Sequence, residues 1–179
     1  NDYSSLTSFG IQPRYNTSMT QIIYNIYKYS HYGIGGGNAL IVYIENHRTN
    51  LVLIQNAQLV DSQFFTIGFG SFVNTIIHLF KNVDKYPMGS KLSATRFLYD
   101  HGATDEQTIS RNAILSPAKM KTAFEDLSPV VESFKSEILS SYRFFSGVRN
   151  KISGRGLVID NVFIGGSGSH IKDMKEIVH

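Results

Sequence analysis

The stretch ALIVYIENHRTNLVLIQNAQLVDSQFFTIGFG, residues 39–70, decides the fold class of this chain. It opens with a short apolar run rich in β-branched residues, which is typical of a buried strand. Turn-forming residues at 46–50 interrupt this run, and a second apolar run follows them. The pattern predicts an antiparallel meander of three or four strands between Asn38 and Gly70. The predicted strands cover 39–45, 51–54, 58–61 and 64–69.

Helical spacing of apolar residues is found on both sides of this meander. Before it, apolar residues three and four positions apart predict an amphipathic helix from Thr17 that ends at the glycines of 33–37. After it, the same spacing predicts helices over 72–82 and 90–102. Proline is tolerated in the first turn of a helix. Two more helices are therefore expected, one from Ser116-Pro117 and one from Ser128-Pro129 to about Phe145.

The C-terminal part returns to strand composition at residues 157–164, followed by a loop at 165–169 and a helix at 170–178. Because strands and helices are largely segregated along the chain, we expect an α+β fold. The C-terminal strand should join the meander sheet. We treat residues 1–179 as a single domain, with 1–15 as an irregular arm. Since the chain begins with Asn1, the domain can also be one excised from a longer chain.

Composition excludes several classes of function. The chain has no cysteine, which rules out a disulfide scaffold, a thiolate zinc site and a cysteine nucleophile. None of its six histidines has the spacing of a known zinc motif, so we expect no metal site. The formal net charge of +3 is a mild basic bias. No apolar run reaches the roughly 18 residues of a membrane span.

A Gly/Ser-rich loop between the last strand and the last helix is the most specific local feature. Glycine lets a backbone approach a ligand closely, and a following helix N-terminus favours anions. This order predicts a phosphate site, with Lys172 adding positive charge and His170 as a catalytic acid or base. The alternative is a flexible turn in which Ser169 caps the last helix. The loop residues are Gly165, Gly166, Ser167, Gly168 and Ser169.

Other candidates lie elsewhere in the sequence. Arg149 and Arg155 belong to a basic connector at 147–156 and can bind phosphate, or can simply complement the end of a helix. His31 precedes the glycines of 33–37 and is a second candidate acid or base. Asp160, predicted inside the last strand beside the Gly/Ser-rich loop, is a third catalytic candidate. If that face of the strand is solvated, Asp160 simply faces water.

Two segments resemble known families. The segment IENHRTNLVLIQNAQLVDSQFF, residues 44–65, is similar to the strand-and-turn rhythm of β-sandwich cytolysins such as aegerolysins and actinoporins. The resemblance implies a membrane-binding sandwich, although the helical half after Gly89 departs from those folds and the chain has no Trp. The run GGSGS is similar to the Gly-Ser turn of nucleotidyltransferases, but the acidic pair that follows that turn is missing. Neither resemblance transfers a site residue.

The leading functional hypothesis is an enzyme domain acting on a phosphate-bearing ligand, either a nucleotide or a nucleic acid, with an unidentified cofactor requirement. A basic, cysteine-free domain of this size also suits a secreted toxin or delivered effector. The rival hypothesis is a non-enzymatic module that binds a membrane or a protein through the meander and the first helix. The polar face of that helix lacks the Lys/Arg enrichment of membrane-surface helices, so packing on the sheet is favoured.

Overall fold

The computed structural model describes residues 18–30, 33, 36–80, 90–104, 117–153 and 157–178, with the backbone alone at 117, 119, 120 and 149–153. Its architecture is α+β, as the segregation of strands and helices predicts. The predicted arm at 1–15 lies outside the described residues. In chain order, the elements are α1 (Met19–Lys28), β1 (Ala39–Ile44), β2 (Thr49–Gln55), β3 (Gln58–Phe65), α2 (Phe69–Phe80), α3 (Lys91–His101), α4 (Pro117–Ser153), β4 (Asn161–Gly165), a 3₁₀ turn (Ser167–His170) and α5 (Met174–Val178).

The four strands form one mixed sheet in the order β3-β2-β1-β4. The meander β1-β2-β3 is antiparallel, and β4 lies parallel to β1. The prediction that the C-terminal strand joins the meander sheet is therefore confirmed. The meander has three strands, because β3 runs without a break from the predicted strand at 58–61 to Phe65, and the rest of the predicted strand at 64–69 is the connection to α2 and its first residue. Leu53 pairs with Asp61 and Ile54 with Leu59, so one extra residue of β3 is accommodated as a bulge.

Both turns of the meander are tight. The Glu45 N–H donates to the Arg48 carbonyl at 2.9 Å, which leaves two residues between them and closes the hairpin more tightly than the sequence suggested. Between β2 and β3, Asn56 and Ala57 have φ values of +48° and +58°. A type I′ turn, whose twist matches that of the flanking antiparallel strands, requires positive φ at both central residues.

The two faces of the sheet bury different sets of side chains. On one face, alternate residues such as Val42, Ile44 and Leu53 pack against α2, α3, α4 and α5 and form the larger core. On the other face, Ile41 and its neighbours contact α1, which turns Ile23 and Tyr27 of its predicted apolar stripe inward and leaves Ile22 and Ile26 exposed. The smaller cluster contains Ile23, Tyr27, Ala39, Ile41, Val52 and Ile54. Helix α1 begins at Met19, two residues after the predicted start, with the Ser18 hydroxyl accepting from the Gln21 N–H, and it ends at Lys28, before the glycines predicted to stop it.

Helix α4 corrects two predictions. The helix expected from Ser128-Pro129 is not separate, because α4 runs without a break from Pro117 to Ser153 with Pro129 inside it. The basic connector expected at 147–156 is helical through Ser153. Proline in a helix interior removes one hydrogen bond. The buried stripe nevertheless continues through it at helical spacing and keeps the chain helical; the stripe consists of Ala123, Phe124, Leu127, Val131 and Phe134.

The C-terminal elements are shorter than predicted. Strand β4 begins at Asn161, so Asp160 precedes the strand instead of lying inside it. The helix expected over 170–178 is divided into the 3₁₀ turn and α5. The division occurs at Ile171, whose extended backbone (φ −60°, ψ 127°) interrupts helical geometry and turns its side chain into the core. Gly102 ends α3 as predicted, with its N–H donating to the Leu98 carbonyl.

A buried carboxylate fastens α5 to the end of α3. Asp173 is 8% exposed and accepts the backbone N–H groups of Ala103, at 2.8 Å, and Thr104. The Thr104 hydroxyl donates to the same carboxylate. Gly102 is required here, because a Cβ on it would lie 2.7 Å from the Asp173 carboxylate. Three donors satisfy the charge of Asp173, which allows its burial.

We expect Asp173→Ala to lower the free energy of unfolding by about 2–4 kcal/mol, because it leaves buried N–H donors without an acceptor. Chemical denaturation monitored by circular dichroism measures this change. The matched control is Asp126→Ala, which removes an exposed carboxylate from α4 and should change stability by less than about 0.5 kcal/mol. Equal effects of the two variants would contradict the role assigned to Asp173.

Candidate functional site

The C-terminal ends of three strands meet at one edge of the sheet. Strands β1, β3 and β4 run in the same direction, since β2 is antiparallel to both of its neighbours and β4 is parallel to β1. This edge therefore brings together the β1–β2 turn at 45–48, the segment 66–68 that enters α2, and the loop after β4. Ligands of open α/β sheets bind outside the carboxyl ends of parallel strands. We call this region the strand-end edge.

The Gly/Ser-rich loop crosses the end of β1 at very short distance. Gly166 has φ +82°, and a Cβ on it would lie 2.3 Å from the Ile44 carbonyl oxygen. A Cβ on Gly168 would lie 2.3 Å from the Ile44 side chain. These two glycines are therefore required by the packing of the loop on β1, independently of any ligand. Within the loop, the Ser169 hydroxyl donates to the Gly166 carbonyl at 2.7 Å.

A row of rings holds this loop against the helices. Phe69, at the start of α2, stacks on Tyr99 of α3 with 5.7 Å between ring centroids. Tyr99 contacts the His170 ring at 5.6 Å, and its hydroxyl donates to the Ser167 carbonyl at 3.3 Å. His170 and Ser167 are exposed. The loop therefore presents an imidazole and a hydroxyl to solvent on a rigid support.

The other side of the edge is closed by hydrogen bonds between the turn and α2. The Phe69 N–H donates to the Glu45 carbonyl and the Gly70 N–H to the Asn46 carbonyl, both at 2.7 Å. Gly68 permits this contact, since a Cβ on it would lie 2.6 Å from the Glu45 carbonyl oxygen. Helix N-termini commonly offer free N–H groups to anions. In α2 these two N–H groups are already used.

Charged side chains of the turn form a local network. The Glu45 carboxylate accepts from the buried Asn50 amide at 2.6 Å and lies 3.5 Å from the Arg48 Nε. The Arg48 guanidinium lies 5.9 Å from the centre of the exposed Phe64 ring. Arg48 is half-exposed, so this ion pair is partly screened by water. The turn thus carries the Glu45 carboxylate, and Arg48 is already paired with it.

Asp160 is placed away from the Gly/Ser-rich loop. It lies at the start of β4, about 16 Å along the five-residue strand from the loop. Its carboxylate accepts the Asn38 N–H at 2.9 Å, and the Asn38 carbonyl accepts the Asp160 N–H. Burial raises the pKa of Tyr27, and the nearby Asp160 charge adds to this rise. The structure therefore supports a role for Asp160 in joining β4 to the entry of β1.

The remaining predicted site residues are only partly described. His31 and Arg155 lie outside the described residues, and Arg149 is described only as backbone in α4. Lys172 is exposed, and its N–H donates to the Leu98 carbonyl at the end of α3. Beside it, burial lowers the pKa of His101, the charge of Asp100 opposes this change, and Lys172 adds to it. His170 and Lys172 are thus the predicted cationic candidates that the structure places near the loop.

Sequence reasoning missed the β1–β2 turn and the ring of Tyr99 as parts of this region. The turn composition of 46–50 was visible, but only the parallel pairing of β4 with β1 brings the turn beside the Gly/Ser-rich loop. Tyr99 lies within the helix predicted over 90–102. An aromatic residue in the last turn of an amphipathic helix carries no signal of which loop it will support.

Within the described ranges, no three His, Asp or Glu side chains come close enough together to hold a metal ion. Among the described helices, none combines the length and the apolar character needed to cross a bilayer.

Comparison with known proteins shows the fold. No protein-family model matches the sequence, and no curated protein matches it significantly. Among solved structures, a chain of the PilM-PilN type IV pilus biogenesis complex aligns with a TM-score of 0.52 at 16% identity, over 80% of this chain and 32% of that one. MreB 5 of Spiroplasma citri bound to AMPPNP aligns with a TM-score of 0.51 at 12% identity, over 79% of this chain and 44% of that one.

The chain spans 32% of the length of the first of these neighbours and 44% of the second. At such identities the likeness shows the fold alone. Neither neighbour is described as a toxin or an effector, so the comparisons lend no support to that prediction.

We expect Gly166→Ala to destabilise the protein by at least about 2 kcal/mol, because it adds a Cβ against the Ile44 carbonyl at a positive φ. Gly147→Ala is the matched control, since nothing lies within 4 Å of its added Cβ. Gly147 is helical, and alanine there should raise stability by up to about 1 kcal/mol. Thermal unfolding of both variants tests the expectation, and an unchanged midpoint for Gly166→Ala would contradict the close packing.

Proposed function

We propose that this chain binds a nucleotide at the strand-end edge. The observation that carries the proposal is the convergence of the β1–β2 turn and the loop after β4 at the carboxyl ends of parallel strands. The fold supports it, because a neighbour of the same fold, MreB 5 of Spiroplasma citri, is bound to AMPPNP. Of the two ligands that the sequence analysis named, a nucleotide and a nucleic acid, the proposal retains the nucleotide.

In this proposal the Gly/Ser-rich loop, residues 165–169, contacts the ligand with its open side. Ser167 supplies an exposed hydroxyl, and His170 supplies an exposed ring that Tyr99 supports from behind. Lys172 supplies an exposed ammonium group close in sequence to both. An aromatic or imidazole face is suited to stack on a nucleobase, and a cation is suited to a phosphate. His170 is proposed as a binding residue, since no described group is positioned to pair with it as a catalytic partner.

Nucleotide binding is tested by thermal unfolding with AMP and AMPPNP at moderate salt. Binding to the native state raises the midpoint, and a ligand at 100 times its Kd stabilises by about 2.7 kcal/mol. We expect His170→Ala to weaken the binding about three- to tenfold, because it removes the ring on the open side of the loop.

The matched control is His78→Ala, which removes an exposed histidine from the other end of α2 and should leave the binding unchanged. A Gly168 variant is unsuitable, since it disturbs the packing on Ile44. No shift with either ligand, or an equal shift with sulfate, would overturn the proposal, because a simple anion effect reports only the basic charge.

A second candidate function is protein binding through α1. Ile22 and Ile26 of α1 are exposed, as is Tyr29 directly after the helix, with Ile26 64% exposed. Beside these residues, α1 and the sheet line an open apolar cavity of about 220 Å³, whose lining includes Ile26, Tyr43 and Phe163. Exposed apolar residues beside an apolar cavity are typical of interaction surfaces. One neighbour, the PilM-PilN chain, comes from a protein complex.

We expect a fluorescent apolar dye, 1-anilinonaphthalene-8-sulfonate, to bind this surface, and Ile26→Asp to reduce its fluorescence by at least about half. Leu92→Asp is the control, since Leu92 is a 79% exposed residue of α3 remote from the cavity. Co-sedimentation with anionic vesicles tests whether the partner is a protein or a membrane. If the native chain pellets with the vesicles and Ile26→Asp does not, the partner is a membrane and not a protein.

A further inference from the structure

We propose that the strand-end edge holds its ligand by the nucleoside end and gains little from a phosphate chain, so that the preferred ligand class is a nucleoside or nucleoside monophosphate. This inference rests on the proposed nucleotide-binding function. It assigns Glu45 as the residue that sets the preference, because its side of the edge is closed to anions.

The first step concerns the backbone donors at the start of α2. A phosphate chain extending across the edge toward the turn would meet the Phe69 and Gly70 N–H groups, which are the natural anion donors there. Both already donate to carbonyls of the turn at 2.7 Å. The tight fit of Gly68 against the Glu45 carbonyl leaves no space between turn and helix for an anion to replace these bonds.

The second step concerns the side chains of the turn. Glu45 is fixed by the Asn50 amide at 2.6 Å, so its negative charge stays at the end of β1. Arg48, the cation of the turn, is paired with that carboxylate at 3.5 Å. A phosphate placed over the turn would lie within one Debye length of the carboxylate, about 8–10 Å at physiological salt. It would meet the Glu45 carboxylate, and the half-exposed Arg48 guanidinium beside it is already held by that carboxylate.

The third step concerns the opposite side of the edge. The loop after β4 exposes the His170 ring and the Ser167 hydroxyl, and Lys172, two residues after His170, is also exposed. These groups suit a base, a ribose and at most a short phosphate group. The two sides of the edge therefore differ in character: the loop side accepts a nucleoside, and the turn side repels a polyphosphate.

Titration calorimetry with adenosine, AMP, ADP and AMPPNP measures the preference directly. For the native chain we expect the Kd values of AMP, ADP and AMPPNP to agree within about threefold, since the Glu45 carboxylate offsets the attraction of Arg48 for the added phosphates. We expect Glu45→Gln to tighten AMPPNP binding about three- to tenfold and to leave adenosine unchanged. The glutamine oxygen can still accept from Asn50, so the turn keeps its shape while Arg48 is released from its ion pair.

The matched control is Glu137→Gln, which removes an exposed carboxylate from α4 and should leave every Kd unchanged. AMPPNP binding at least tenfold tighter than AMP in the native chain would overturn the inference and leave the proposed function intact. If the Kd values of AMP, ADP and AMPPNP are similar in the native chain and Glu45→Gln does not change them, the role of Glu45 is overturned. Absence of binding for all four ligands would overturn the proposed function itself, and the inference with it.

Discussion

The close contact between the loop after β4 and the end of β1 is the constraint on which the rest of this structure depends. Gly166 and Gly168 lie so near Ile44 that neither position has space for a Cβ. This contact fixes β4 beside β1 and brings the 3₁₀ turn over Tyr99. The chain after this loop reaches Asp173, whose carboxylate accepts the Ala103 N–H at the end of α3. The short segment between β4 and α5 therefore joins the sheet to both α3 and α5. The position of the strand-end edge follows from it.

The two sides of that edge illustrate how one type of residue can serve different purposes. Glycine-rich segments suggest ligand contact, yet Gly68, Gly166 and Gly168 each allow one part of the chain to approach another. At Gly68 the result is a closed contact between the turn and α2, which uses the donors of the helix. Around Gly166 the result is a supported loop whose outer side remains open. The distinction lies in what each backbone segment leaves unpaired, and residue type alone does not reveal it.

Much of the fold could be predicted from local patterns, because those patterns and the packing agree. The β-branched run of β1 and the apolar spacing of α1 each placed an element within a few residues, and Ser90 caps α3 by accepting from the Ser93 N–H. Pro129 was misleading because a buried stripe continues through it, so tertiary packing outweighs a local stop signal. The site was harder to predict. Its parts are 120 residues apart, and their meeting depends on the parallel direction of β4, which no local pattern specifies.

The same parallel pairing has a consequence for how the chain folds. Asn38 and Asp160, which are hydrogen-bonded, lie 122 positions apart. Closing so long a loop costs conformational entropy before any contact compensates it, and such non-local pairing slows folding. The meander needs only two-residue turns and can form early, whereas β4 must wait for the helices that precede it. During that delay the apolar edge of β1 is open to other chains, so late arrival of the last strand is the point at which aggregation competes with folding.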